Sequence, residues 1–395
     1  MIYLDNNATT MPDPAVREAM LPFLAEAAYA NPSSTHRFGQ EARQAVEEAR
    51  RKLALLLACD PKDILFTSGG TESDNAGLWG LLLARGWTPG NPAARRAVIT
   101  SSVEHSAIRE PLAALNKLGV ETIRINVDQS GALDMNQLAQ TLSARTQEIA
   151  LVSIMWANNE TGILFDIPAI GALCRENGVL FHCDAVQAFG KVPLHVDRDQ
   201  IDLMSLSAHK MYGPKGIGAL YVRRRKPAAP LTAQIDGGGH ESGFRSGTLN
   251  VPAIVGFGEA CRLSALEMEI ESARLGTLRD RLLALLKAGL EGVTVNGTMQ
   301  QRLPNNLNVT FAGVDAESLL IALPDIALST GSACTSATVE PSHVLQALGM
   351  DRRHAQSSVR FGLGRFNTAE EIDQAAALII QAGNRIRSLG LTGWE

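Results

Sequence analysis

The sequence predicts an α/β protein with two lobes, a large one built on a mostly parallel sheet and a smaller α+β lobe at the C-terminus. Its 395 residues exceed what one hydrophobic core normally organises. Apolar strands alternate with helical segments between residues 97 and 183, and this alternation is typical of parallel strands joined by crossover helices. Near Gly256 this alternation ends and a long helical region begins. We therefore expect a large cofactor-binding lobe at 1–255 and a small lobe at 256–395, with residues 1–15 packing on the small lobe.

Hydrophobic periodicity and turn residues predict the individual elements. Apolar residues recur three and four apart from 40 to 57, which indicates a long amphipathic helix, and a helical pattern also runs from 14 to about 27. The alternating region contains strands at 97–100, 121–125, 149–154 and 179–183, separated by helices at 108–118, 135–142 and 167–177. The C-terminal lobe contains helices at about 256–290, 316–323 and 369–389, and strands at 293–296, 306–311 and 327–329.

Composition narrows the function classes. A net charge of −5 argues against a nucleic-acid or anionic-membrane partner, and no apolar run is long enough to span a bilayer. The N-terminus lacks the pattern of a secretory signal. Five widely spaced cysteines without a C-x-x-C pair oppose a disulfide framework and a structural zinc site, and they favour a reducing compartment, so we expect a cytoplasmic protein.

Lys210 stands at an unusual place for a charged side chain. It lies between two apolar runs, 201–206 and 217–222, beside Ser207, His209 and several glycines. Lysine forms Schiff bases with carbonyl cofactors, and burial makes its amine reactive by lowering its pKa. An ordinary loop lysine explains this stretch equally well.

The pattern of residues 64–73 predicts a strand, a glycine turn and the start of a helix. A helix N-terminus after a Gly-rich turn offers free N–H groups and a favourable dipole to an anion such as phosphate, and Thr71 adds a hydroxyl. A plain strand–turn–helix connection is the alternative reading of Gly70 and Thr71.

Polar residues also recur where the predicted strands end. In parallel α/β folds the site lies beyond the carboxyl ends of the strands. The residues at these ends are Glu104, His105, Asn158, Asn159, Glu160, Asp184, Gln187, Ser207, His209 and Lys210. Their recurrence predicts one site at this edge of the sheet.

A small-residue stretch around Cys334 differs from the surroundings of the other cysteines. Residues 329–338 contain no bulky side chain, which favours an accessible, reactive thiol over a packed one. The other four cysteines lie in helical or strand runs and are interpreted as packing residues.

Together these features describe a pyridoxal phosphate site. Gly70 and Thr71 suit the phosphate, Lys210 a Schiff base, and Asp184 the pyridinium nitrogen. Arg360 suits a substrate carboxylate because of its planar fork, although a surface ion pair is an alternative.

Seven motifs, in order and almost end to end, resemble those of the cysteine desulfurases, most closely the NifS/IscS type. They are 4–10 (LDNNATT), 67–73 (TSGGTES), 157–162 (ANNETG), 182–187 (HCDAVQ), 207–210 (SAHK), 245–248 (RSGT) and 331–336 (GSACTS). The resemblance implies fold type I of the pyridoxal phosphate enzymes, a homodimer, and conversion of L-cysteine to L-alanine with the sulfur left as a persulfide.

The resemblance also implies a role for each matched residue. Lys210 is the Schiff-base residue and proton carrier, Asp184 the pyridinium partner and Gln187 the ligand of the ring hydroxyl. His105 stacks on the ring and handles protons, while Asn159 lies near both ring and substrate. The phosphate ligands are Gly70, Thr71, Ser207, His209 and, from the partner subunit, Thr248. Arg360 holds the substrate carboxylate and Cys334 accepts the sulfur.

Further expectations concern partners and metals. An iron–sulfur scaffold or another acceptor protein receives the sulfur, and no permanent metal site is expected, although Cys334 is a candidate for transient ligation of an iron–sulfur cluster. Two alternatives stay open. One is a fold type I aminotransferase or lyase for another small amino acid, including selenocysteine. The other is a sulfur-relay interaction protein whose cofactor site is vestigial.

Overall fold

A seven-stranded sheet forms the centre of the large lobe in this computed structural model. The structure describes residues 1–25, 28–89, 91, 95–330 and 341–389. A short first strand, β1 (Ile2–Tyr3), precedes the sheet in the chain. The strands are β2 (Ile64–Thr67), β3 (Ala97–Ser101), β4 (Glu121–Ile125), β5 (Ile149–Ser153), β6 (Leu180–Asp184), β7 (Leu203–Ser207) and β8 (Gly218–Val222). Their order is β2-β8-β7-β6-β5-β3-β4, and β8 runs antiparallel to both of its neighbours while the other pairs are parallel. The predicted, mostly parallel sheet is confirmed.

Six helices surround this sheet in the described ranges. They are α1 (Pro14–Met20), α2 (Arg37–Leu57), α3 (Gly70–Ala84), α4 (Ser106–Asn116), α5 (Met135–Arg145) and α6 (Ile167–Glu176). Helix α2 confirms the predicted amphipathic pattern, since Ala42, Val46 and Leu53 are all buried on one face. The prediction of one helix from 14 to 27 was wrong. Helix α1 ends at Met20 because Pro22 cannot continue it, and a 3-10 turn follows at Leu21–Phe23. Residues 26 and 27 lie outside the described ranges.

The C-terminal lobe is built on a second, antiparallel sheet. Its elements are α7 (Val251–Gly289), β9 (Val293–Val295), β10 (Asn306–Phe311), α8 (Ala316–Ala322), β11 (Ile326–Ala327), β12 (Ser329–Thr330), α9 (His343–Ala347), α10 (Arg352–Gln356), β13 (Ser358–Gly362) and α11 (Ala369–Ser388). The four strands lie in the order β12-β13-β10-β9, while β11 pairs in parallel with β1. The first residues of the chain are thus hydrogen-bonded to this lobe.

Helix α7 connects the hydrophobic cores of the two lobes. Phe257 and Ala260, in its first half, belong to the core around the large sheet, whereas Leu282 and Leu286 belong to the core of the C-terminal lobe. Leu4 also packs in this second core. The division of the chain at residues 255 and 256 stays a prediction. Although α7 spans 39 residues, no helix in the described ranges is long and apolar enough to cross a membrane.

The second core provides a stability prediction. Leu282→Ala, at a side chain with no exposed surface, should lower the free energy of unfolding by about 2–5 kcal/mol, because it removes buried methyl groups and leaves a cavity. Leu266→Ala on the same helix, at a side chain that is 67% exposed, should change it by less than about 0.5 kcal/mol. Urea unfolding followed by circular dichroism checks both variants, and equal losses would contradict the packing described here.

Candidate active site

A cavity of about 250 Å³ lies at the carboxyl ends of the parallel strands. It brings together every residue predicted to bind the cofactor within one chain. The lining residues are Gly70, Thr71, Asp74, His105, Ala107, Met155, Asn159, Asp184, Val186, Gln187, Ser207, His209 and Lys210. A larger cavity, of about 840 Å³, lies between α2 and the loop that contains His240, and it contains none of the predicted site residues. The identity of its lining residues therefore makes the smaller cavity the candidate site.

Lys210 lies just beyond the end of β7, at the end of a 3-10 turn, Ala208–Lys210. Its Nζ atom donates to the main-chain carbonyls of Asn7 at 2.6 Å and Ala8 at 2.8 Å. The adjacent His209 is held by the same N-terminal segment, since its carbonyl accepts from the Thr10 hydroxyl at 2.9 Å. The N-terminal segment therefore fixes the direction of the lysine amine.

Asp184 occupies the end of β6, where the Val186 N–H donates to its Oδ1 atom at 2.9 Å. Burial raises the pKa of Asp184 to about 6, against the lowering effects of that N–H and of the Lys210 charge. A second carboxyl, Asp74, lines the same cavity, and burial followed by the charge of Asp184 raises its pKa well above the ordinary value. Two carboxyl groups this close in a buried site cannot both ionise easily. Asp184 is the one that ionises more readily.

His105 is the N-cap of α4, and its Nδ1 atom accepts from the Ala107 N–H at 3.1 Å. Burial lowers the pKa of His105 to about 4, and the charges of Lys210, Arg109 and Arg360 lower it further. The ring is therefore neutral at pH 7, and because Nδ1 is an acceptor, the proton resides on Nε2. A neutral imidazole of this kind can either accept or donate a proton.

Another part of the cavity lining suits an anion. Gly70 begins the 15-residue helix α3, whose N-terminus has no side-chain cap, and a Cβ atom at Gly70 would lie 2.6 Å from Val186 Cγ2. The Ser207 hydroxyl is buried and has no hydrogen-bond partner among the described residues. A buried hydroxyl without a partner is costly, so a ligand that bonds to it is favoured here. These residues fit the phosphate of pyridoxal phosphate.

Three other predicted residues do not line this cavity. Arg360, on β13, donates from Nη1 to the carbonyl of the lining residue Asn159 at 3.0 Å and from Nη2 to Asp5 Oδ1 at 2.8 Å. Thr248 is exposed in the loop before α7. Cys334 lies outside the described residues.

The sequence-based prediction missed three residues that line or support the site, Asp74, Lys191 and Asn7. The predicted residue Gln187 donates to the Asn7 carbonyl at 3.0 Å, and Lys191 donates to the Gln187 carbonyl at 3.1 Å. Asp74 could have been found, because it follows Thr71 by one helical turn and therefore faces the same side. No sequence signal pointed to Lys191 or to the Asn7 carbonyl, since both act through contacts made only in the folded chain.

The first residues of the described range 341–389 are hydrogen-bonded to residues beside the same site. The Ser342 hydroxyl donates to Glu160 Oε2, and His343 Nε2 donates to the Glu104 carbonyl at 3.1 Å. Arg109 Nη1 donates to the other ring nitrogen of His343 at 3.0 Å, because burial lowers the pKa of His343 to about 4 and leaves that nitrogen as an acceptor. The C-terminal lobe is thereby bonded to the residues next to His105.

Comparison with known proteins agrees with this architecture. Residues 2–375 match the aminotransferase class-V family. A protein named cysteine desulfurase IscS from Anaeromyxobacter dehalogenans is 49% identical over 389 residues, covering 98% of this chain and 93% of that protein. One of the same name from Klebsiella pneumoniae is 49% identical over 396 residues, covering 100% and 95%.

Two solved structures extend the comparison. One described as a NifS-like protein has a TM-score of 0.88 at 35% identity, covering 96% of this chain and 98% of that one. SspA in complex with cysteine has a TM-score of 0.80 at 32% identity, covering 93% and 100%. The chain belongs to the aminotransferase class-V family, and the resemblance to the NifS/IscS group inferred from its motifs is confirmed.

His182, behind Asp184 on β6, provides a prediction about pH. It is fully buried, with its ring nitrogens 2.9 Å from the hydroxyls of Ser153 and Ser205, and burial lowers its pKa to about 3. An unfolded histidine titrates near 6.5, so between these values the unfolded chain binds more protons and stability falls as the pH falls. His182→Gln should therefore reduce the slope of unfolding free energy against pH, between pH 6 and 4, by about 1.4 kcal/mol per pH unit.

Denaturant unfolding at several pH values checks this expectation. Leu266→Ala, at an exposed side chain that does not titrate, is the control and should leave the slope unchanged. An unaltered slope in His182→Gln would mean that His182 is already protonated in the folded protein.

Proposed function

We propose that the chain is a pyridoxal phosphate-dependent cysteine desulfurase that converts L-cysteine to L-alanine and leaves the sulfur as a persulfide on Cys334. The observation that carries this proposal is the convergence of Lys210, Asp184 and His105 in one cavity that also contains a free helix N-terminus. Over almost the full length of the chain, about half of its residues are identical to those of proteins named cysteine desulfurase.

The lining residues would hold the cofactor in a defined direction. Gly70, Thr71, Ser207 and His209 would hold the phosphate, with Asp184 at the ring nitrogen, Gln187 at the ring hydroxyl, Asn159 and His105 at the ring, and Lys210 as the covalent attachment. When bound, pyridoxal phosphate supplies an electron sink for the bonds at the substrate Cα atom. The unpartnered Ser207 hydroxyl and the close approach at Gly70 support this orientation.

Two residues are suited to move the proton at the substrate Cα atom. The Lys210 amine is directed by the carbonyls of Asn7 and Ala8, and in its neutral form it has a lone pair that can accept that proton. Neutral His105, which lines the same cavity, can also exchange a proton. Arg360, bonded to the Asn159 carbonyl, would hold the substrate carboxylate.

The sulfur step needs a thiolate. The C–S bond of the substrate breaks while an S–S bond forms to Cys334, so that L-cysteine and an enzyme thiol give L-alanine and an enzyme persulfide, with all atoms balanced. The four other cysteines are poor candidates because burial raises the pKa of Cys59 to about 12 and that of Cys174, Cys183 and Cys261 well above the ordinary value. Elimination therefore supports Cys334.

A homodimer would complete each site. Thr248 is exposed and lies outside the cavity of its own chain, in a loop tied to α3 by an ion pair of 2.8 Å between Arg245 and Glu72. We infer that Thr248 reaches the phosphate of the partner subunit. We also infer a cytoplasmic location, from the cysteine usage, and delivery of the sulfur to an iron–sulfur scaffold or another acceptor protein.

Cys334→Ala tests the proposed reaction. The variant should bind the cofactor and change its visible spectrum on addition of L-cysteine, because those steps use the cavity residues and Arg360, which the substitution leaves in place. Production of alanine, and of sulfide in the presence of a reductant, should fall by about 10²-fold or more, as for removal of a nucleophile. Cys59→Ala is the control and should keep wild-type turnover.

Mass spectrometry after exposure to L-cysteine adds a second measurement. One extra sulfur atom should appear on the peptide that contains Cys334 and on no other. Wild-type turnover in Cys334→Ala, or the extra sulfur on Cys183, would exclude the mechanism. Turnover of selenocysteine without turnover of cysteine would favour a selenocysteine lyase, and turnover of neither would favour a sulfur-relay protein.

Lys210→Ala tests the cofactor attachment. The visible absorbance band of the lysine-bound cofactor should disappear while the far-ultraviolet circular dichroism persists, because Lys210 lies at the cavity surface and its removal leaves the cores intact. Lys215→Ala, at an exposed position beyond the turn, is the control and should keep the band. A band that survives in Lys210→Ala would mean that another amine binds the cofactor.

A further inference from the structure

Arg360 is already paired with a carboxylate of its own chain. Only 3% of its side chain is exposed, and Asp5, 2.8 Å from Nη2, is the one carboxylate within ion-pair distance among the described residues. Nη1 is occupied by the Asn159 carbonyl at 3.0 Å, while the buried Nε atom has no hydrogen-bond partner in the same ranges. A substrate carboxylate therefore meets a guanidinium whose Nη2 atom is already paired with an anion.

The position of Asp5 is fixed by main-chain contacts on both sides. The Gly362 N–H donates to the Leu4 carbonyl at 2.7 Å, and the Asn6 N–H donates to the Gly362 carbonyl at 2.9 Å. A Cβ atom at Gly362 would lie 2.4 Å from the Asn7 side chain, so the glycine allows the segment to pass close over β13. The main chain at Asp5 is thus held on β13 by contacts that do not depend on the ion pair.

Two carboxylates at one guanidinium oppose each other. A single positive charge attracts both, but the two negative charges repel, and in a buried site that repulsion is screened less than at the surface. Asp5 must therefore share Arg360 with an incoming carboxylate or give it up. In either case part of the binding free energy of the ligand is lost.

We propose that Asp5 competes with the substrate carboxylate for Arg360 and so weakens the binding of substrate and product. This inference rests on the proposed role of Arg360. Asp5 supplies the counter-ion that a buried guanidinium needs when no ligand is present. The alanine product has the same carboxylate as cysteine, so the competition also helps the product to leave.

Asp5→Asn separates charge from orientation. The asparagine oxygen can still accept from Arg360 Nη2, whereas the negative charge is gone. Binding of L-alanine to the holoenzyme, followed by the visible spectrum at equilibrium, should become tighter by at least about fivefold, the lower end of typical coupling between sites. Ethylamine, which is L-alanine without its carboxylate, should bind the variant and the wild type equally.

Two further variants make the outcomes distinct. Asp5→Ala, which removes charge and acceptor together, should gain less affinity for L-alanine than Asp5→Asn, because Arg360 loses a contact that orients it. Arg360→Gln should weaken L-alanine binding and leave ethylamine binding unchanged.

The results separate this inference from the proposed function. If Arg360→Gln weakens L-alanine binding but Asp5→Asn leaves it unchanged or weaker, the competition is overturned and the assignment of Arg360 stands. If Arg360→Gln has no effect on L-alanine, the assignment of Arg360 and the inference both fail. A gain in Asp5→Asn that is equal for L-alanine and ethylamine would indicate a structural change and would also overturn the inference.

Discussion

The ammonium group of Lys210 is held by two main-chain carbonyls that belong to the first residues of the chain, and much of the site depends on this contact. Carbonyls cannot ionise, so they direct the amine without adding a fixed negative charge beside it. The segment that supplies them is fixed on β13 on one side and on the turn after β7 on the other. It also places Asp5 beside Arg360. One extended segment therefore sets the positions of the groups proposed to bind cofactor and substrate.

Burial then decides which of these groups are charged. It raises the pKa of Glu104 to about 8 and that of Asp184 to about 6, while it lowers the pKa of His105 to about 4. Among the carboxyl groups Asp74, Glu104 and Asp184, the last ionises most readily because it has both the Val186 N–H and the nearby Lys210 charge. The cavity thus contains a carboxylate, a neutral imidazole and a free helix N-terminus. These groups match a ligand with a basic ring nitrogen and a phosphate.

The two lobes have different parts in the proposed chemistry. The large lobe holds the cofactor, and its strand ends were recognisable because polar residues follow apolar strands at regular intervals. The C-terminal lobe supplies Arg360 from a buried strand and is bonded to the large lobe through Ser342 and His343. Thr330, before the segment that carries Cys334, pairs with Val359 beside Arg360, and Ser342, after it, contacts Glu160 beside the lining residue Asn159.

The sequence by itself determined the class of fold, the parallel sheet and most residues of the cavity. Strand periodicity, glycine turns and strand-end polar residues are local signals, because they reflect which side chains face the core within a few residues. The motifs also determined the family. Local patterns were insufficient at Pro22, where one proline shortened a helix, and at β13, where a short strand containing Arg360 has no clear periodicity. Only the tertiary structure decided the pairing of Arg360 with Asp5, the carbonyl contacts of Lys210 and the contact of Gln187 with the Asn7 carbonyl. Those contacts join residues up to 355 positions apart, and their energies depend on distance and burial, which no local pattern specifies.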